Sequence, residues 1–288
     1  MRETSALDAT TTAATAQSPQ VRVERRGDGD PALVFVHGAS CDLHDWDNQT
    51  AALSDRFRTV ALDLPGHGLT PATPDLGVGA LGSMVAAIAR QETRPCVLIG
   101  HSAGCRVILE AALQSDETIG LVFVDGSLLI GPDAESAEAS LLAKLDGLGF
   151  EGYMEAMFGS MFVRGCDPDV RAAILKRARS WDPAAARTFL TSTVRWDLLH
   201  ARTALSRLRV PCLAIQSTYL DHHLERRSLE PGVITPWMEA LAELTPQTRV
   251  EIMRGAGHFV QIDRADLVNR LIADFAEAAL VPGLNPGR

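Results

Sequence analysis

Cys96-Val97-Leu98-Ile99-Gly100-His101-Ser102-Ala103-Gly104 decides how the rest of this chain is read. Four apolar residues form a run of strand length, and the Gly-flanked serine follows without a spacer. An apolar helical pattern then starts at once, from Ala103 to Gln114. G-x-S-x-G recurs by chance in many sequences, and on its own it marks no more than a plain glycine-rich turn. Strand, turn and helix around it give the pattern chemical meaning. The sharp turn lifts the Ser102 hydroxyl clear of a sheet, and a helix start directs free N–H groups toward developing negative charge. Ser102 is therefore the candidate nucleophile.

Outward from this point, similar runs recur. Ala32–Val36, Phe57–Leu62, Leu121–Val124 and Val210–Ile215 are nearly continuous apolar stretches, as expected for strands covered on both faces. Val21–Glu24 and Arg249–Met253 alternate polar and apolar residues, as half-exposed edge strands do. Helical patterns lie between them, at Ala80–Gln91 and at Arg264–Ala279, where Leu267, Val268, Leu271, Ile272 and Phe275 share one face. Strands alternating with helices predict an α/β fold with a mostly parallel central sheet and helices on both faces. In such sheets, chemistry collects on loops at the carboxyl ends of strands.

One stretch breaks the alternation. Residues 128–207 carry helical patterns without a strand, and large apolar residues recur there: Met154, Met157, Phe158, Met161, Phe162, Trp181, Phe189 and Trp196. Taken singly, each is expected to pack the core. Taken together, the segment is expected to be a helical cap over an apolar pocket. The predicted organisation is a flexible tail over 1–20, a core over 21–127 and 208–280, and a cap over 128–207.

Composition narrows the function classes. With 27 basic and 36 acidic residues the net charge is −9, which disfavours nucleic acid. No apolar run approaches the ~20 residues a membrane span requires, and residues 1–20 lack the pattern of a secretory signal. The five cysteines, Cys41, Cys96, Cys105, Cys166 and Cys212, are odd in number and show no CxxC spacing. Cys96 and Cys212 read as small buried hydrophobes. The expectation is a cytoplasmic protein acting on a small molecule, without metal or organic cofactor, nucleic acid or membrane; a homodimer stays compatible with it.

Three further segments make the chain resemble the α/β-hydrolase family over nearly all of residues 21–280. His37-Gly38-Ala39-Ser40 follows a strand as the family's oxyanion loop does. Asp63-Leu64-Pro65-Gly66-His67-Gly68 matches its loop after the next strand. Gly255-Ala256-Gly257-His258-Phe259 follows the last strand, where the family keeps its catalytic histidine. The resemblance implies Ser102 as nucleophile, His258 as general base, and an oxyanion hole from the Ala39 and Ala103 N–H groups. It places the cap after the sixth strand in the family's count. The other histidines receive plainer roles: His37 and His67 structural in their loops, His101 turned away, and His44, His200, His222 and His223 on the surface or cap.

The resemblance leaves two carboxylates open as the third member. After the family's seventh strand the chain reads Ile215-Gln216-Ser217-Thr218-Tyr219-Leu220-Asp221, with Ser217 where the family's Gly-x-x-Asp pattern has glycine and Asp221 one residue late. Asp125 directly ends Leu121–Val124, after the sixth strand, where some members put their acid and many relatives carry a noncatalytic Asp. Asp125 is preferred because it needs no shifted register; Asp221 stays the alternative. A serine at this turn argues against the branches that use an aspartate nucleophile. The implied activity is hydrolysis of a carboxylic ester or lactone of a small, largely apolar substrate through an acyl-enzyme. A C–C bond hydrolase, a hydroxynitrile-lyase-like enzyme and a non-catalytic ligand-binding member are the alternatives.

Overall fold

Seven strands form one sheet in the order β1-β3-β2-β4-β5-β6-β9, seen in a computed structural model that describes residues 21–163, 165–220 and 226–281. These are β1 (Val23–Arg26), β2 (Ala32–Val36), β3 (Arg58–Leu62), β4 (Cys96–His101), β5 (Thr118–Val124), β6 (Cys212–Gln216) and β9 (Arg249–Ile252). Only β1 runs antiparallel, pairing Val23 with Leu62 and Arg26 with Thr59. Two short strands, β7 (Thr218–Leu220) and β8 (Arg226–Ser228), pair antiparallel beside the sheet.

The continuous apolar runs are explained by the two cores. Along β2, Ala32, Val34 and Val36 enter one cluster while Leu33 and Phe35 enter the other. This is the period-two alternation of a strand whose two faces are both dry. On the first face pack α2 (Val78–Gln91) and α3 (Gly104–Ala112); on the second lie α1 (Asp47–Leu53) and α10 (Ala265–Ala279). The expected edge strand at 21–24 is found two residues later, because the ladder with β3 fixes its limits.

Between β5 and β6 stand four helices: α4 (Ala134–Gly159), α5 (Pro168–Ser180), α6 (Pro183–Leu199) and α7 (Ala201–Arg207). In the chain's own count this insert follows the fifth strand. Helices α5 and α6 start on Asp-Pro pairs, with Asp167 and Asp182 accepting from first-turn N–H groups and the proline at the position that needs no donor. Helix α4 is broken at Gly149, whose φ of 68° is left-handed. Of the large apolar residues there, Met157, Phe158 and Met161 line a cavity, whereas Met154, Phe189 and Trp196 are buried outside that lining.

After the insert come α8 (Pro236–Leu244) and α9 (Val260–Asp263). Among the described residues, no helix is long and apolar enough to cross a membrane. All five cysteines are free, and Cys96 and Cys212 are buried as expected.

Candidate active site

The chain passes from β2 to β3 on one side and returns to β4 on the other. The crevice outside the carboxyl ends of β2 and β4 is thus a topological switch point. Gly38 and Ala39 follow β2, Ser102 and Ala103 follow β4, and all four line one cavity of about 130 Å³ there.

Ser102 has a φ of +54°, a left-handed conformation that costs a non-glycine residue of order 1–3 kcal/mol. The surroundings over-determine it. Its N–H donates to the Val124 carbonyl at 2.9 Å, and the turn is wedged tightly between backbones. A Cβ on Gly104 would lie 2.5 Å from the Val36 carbonyl oxygen, and one on Gly100 would lie 2.5 Å from that of Gly104. The two glycines of G-x-S-x-G are required for close approach rather than for looseness.

Asp125 repeats the device one strand away. Its φ is +46°, and its N–H donates to the Ile215 carbonyl at 2.7 Å. His258 Nδ1 stands 2.6 Å from Asp125 Oδ2, and both side chains are buried. The loop after β6 holds the carboxylate from the other side: the Ser217 and Thr218 N–H groups each donate to Oδ1 at 2.8 Å, and the Thr218 hydroxyl donates to Oδ2. Asp221, the alternative acid, lies outside the described residues, as do His222 and His223.

Electrostatics separate the two groups. Burial works to raise Asp125, but the hydrogen bond and charge of His258, followed by Arg226 and Thr218, outweigh it and bring it down to about 2. Burial, then the Arg226 charge, lowers His258 to about 4 against the pull of Asp125. At neutral pH the aspartate is ionised and the imidazole neutral. With Nδ1–H committed to Asp125, Nε2 carries the lone pair.

The remaining histidines sort as follows. His37 Nδ1–H donates to the Gly38 carbonyl and Nε2 accepts from Leu64 N–H, which joins the two loops after β2 and β3. His67 is buried against Trp181 and Phe189, and His44 and His200 are exposed. His101 is not turned away from the site. Its Nε2–H donates to the His258 carbonyl at 2.9 Å, and the two rings lie 4.5 Å apart.

Sequence reasoning missed the charged part of the lining. Arg106, one turn after Ser102, makes a bidentate pair with Asp197 of α6 at 2.7 and 2.5 Å. Arg226 of β8 reaches Asp125 Oδ2 at 3.3 Å. A signal did exist for Arg106: it interrupts an otherwise apolar helix face, and a buried cation demands a partner. Among the described residues, no group of three or more His, Cys, Asp and Glu side chains could hold a metal ion.

Residues 33–271 match the model of the Alpha/beta hydrolase family. The chain belongs to this family. It is 27% identical over 255 residues, 86% of its length, to the biotin biosynthesis bifunctional protein BioHC of Cellvibrio japonicus. It spans only 48% of that protein, and less of several other relatives it matches. It is also 27% identical to a pimeloyl-[acyl-carrier protein] methyl ester esterase of Yersinia pseudotuberculosis, over 87% of this chain and 95% of that one. Among solved structures, a hydrolase from Oleispira antarctica superposes with a TM-score of 0.74 at 18% identity, covering 88% of this chain and 94% of that one.

Proposed function

We propose that the protein is a serine hydrolase that cleaves a carboxylic ester or lactone of a small, largely apolar substrate. The observation that carries this reading is one cavity holding the strained Ser102 together with His258, whose far nitrogen sits on Asp125. In this reading, His258 Nε2 takes the Ser102 hydroxyl proton as Oγ attacks the carbonyl carbon. The Ala39 and Ala103 N–H groups stabilise the tetrahedral oxyanion, and His258 returns the proton to the departing alcohol. Water then repeats the sequence on the acyl-enzyme. Asp125 holds the imidazole tautomer and offsets the charge of the imidazolium.

Helices α4 to α6 act as a lid in this proposal. Met157, Phe158, Met161 and Leu190 give the cavity its apolar side. An apolar cavity of about 150 Å³ holds a benzene ring, so about 130 Å³ suits an enclosed group of that size. The ester named for the Yersinia relative favours ester chemistry over C–C cleavage.

The test is hydrolysis of short-chain nitrophenyl esters together with fluorophosphonate labelling. Wild-type protein is expected to turn over the esters and to take up label on Ser102, and Ser102→Ala is expected to lose both while keeping its thermal transition. Ester turnover surviving in Ser102→Ala would overturn the assignment.

A further inference from the structure

Two arginines line the otherwise largely apolar cavity, and they are not equivalent. Arg106 is answered in full: Asp197 takes its Nε and Nη2, and the Ser127 carbonyl accepts from Nη2 at 3.0 Å. Arg226 is 6% exposed, and the described contacts of its guanidinium run through Nη1, to Thr218 Oγ1 at 2.9 Å and Asp125 Oδ2 at 3.3 Å. Its Nε, equally buried, has no hydrogen-bond partner among the described residues.

The carboxylate that Arg226 touches has little left to give. Asp125 already accepts from Ser217 N and Thr218 N on Oδ1, and from His258 Nδ1 and the Thr218 hydroxyl on Oδ2. A carboxylate offers about four acceptor sites, so the long Arg226 contact is the surplus one. Burial, only partly offset by Asp125, draws Arg226 down to about 10. The unsatisfied Nε belongs to the edge of the guanidinium fork that engages a planar carboxylate.

We propose that Arg226 anchors a carboxylate on the substrate, so that the ester attacked by Ser102 is the half-ester of a short dicarboxylic acid or a carboxylate-bearing lactone. This rests on the ester reading of the same cavity and refines its substrate class. The small volume limits the spacer between carboxylate and scissile carbonyl to a few carbons. An anion there also cancels part of the positive field acting on His258, so the correct substrate strengthens its own general base.

The experiment is calorimetric binding of monomethyl glutarate and dimethyl glutarate at pH 7 to Ser102→Ala protein, which binds without turnover. The half-ester is expected to bind about 10- to 100-fold more tightly, the range for a hydrogen bond to a charged group. Ser102→Ala/Arg226→Met is expected to erase that preference and Ser102→Ala/Arg226→Lys to keep part of it. Equal affinity for the two esters in Ser102→Ala, or a preference that survives Arg226→Met, would overturn the anchor. The two-ligand comparison decides even if the methionine variant does not fold. Incubation of both esters with intact enzyme tests the ester reading separately: no methanol release from either would sink that reading, while the binding preference still decides Arg226.

Discussion

At the scale of single residues, the proposed acid is where sequence and geometry met most usefully. Ser102 and His258 could be singled out as candidates because each sits in a motif with a fixed place after a strand. The carboxylate was not, since Asp125 and Asp221 each follow an apolar run and either could reach a histidine by loop geometry alone. What distinguishes Asp125 is three-dimensional: a left-handed backbone and two N–H donors from the loop after β6. Asp125→Asn is expected to lower kcat by up to about 10⁴-fold, because the amide favours the wrong imidazole tautomer, while Asp221→Asn stays near wild type. Steady-state kinetics on one ester checks both. Comparable losses in the two variants, or none in either, would remove the assignment.

Among the elements, the insert is bound to the main body by specific polar ties. Arg106 of α3 pairs with Asp197 of α6, and Arg177 of α5 reaches the Ser40 carbonyl, Asp42 and Asp45 on the loop after β2. Trp181 Nε1–H donates to the Gly66 carbonyl and Trp196 Nε1–H to Glu110. Removing one partner of a buried ion pair leaves the other uncompensated, at a cost of about 3–5 kcal/mol. Asp197→Ala is expected to lose stability in that range, read as a lower urea midpoint, and Arg106→Met/Asp197→Leu to recover most of it. A single-variant loss below about 1 kcal/mol would contradict the buried-pair account. The helical stretch was readable from its missing strands, and all seven sheet strands from apolar runs or alternation to within three residues of their observed limits. The ties were not readable, since each joins residues tens of positions apart whose pairing no local pattern encodes. Strands β7 and β8 escaped for another reason: three residues each are too short to show a period.

For the molecule as a whole, the four histidines buried among the described residues set the acid limit. His37, His67, His101 and His258 are at most 3% exposed, and burial lowers all four below the ordinary value of 6.5, His258 to about 4. The unfolded chain therefore binds these protons first. Stability is at its full value above pH 6.5 and falls as pH drops toward 4, each histidine adding about 1.4 kcal/mol per pH unit where only its unfolded form is protonated. Asp125 acts lower, its contribution present above 3.8 and lost toward about 2. Urea titrations between pH 7.5 and 4.5 are expected to show this decline, and a flat profile would contradict it. Activity has its own window: kcat/KM is expected to fall only as pH approaches about 4, where the free enzyme's His258 takes its proton. Within that limit, one contact joins the insert to His258 directly. The His258 N–H donates to the Met161 carbonyl at 2.8 Å, and a Cβ on Gly257 would lie 2.6 Å from that same oxygen. Exchange of the insert between relatives, as in building chimaeras for new substrates, thus carries a hidden condition. A transplanted insert has to bring a carbonyl to this point and the recipient has to keep its glycine, so pocket shape and histidine placement are inherited as one unit.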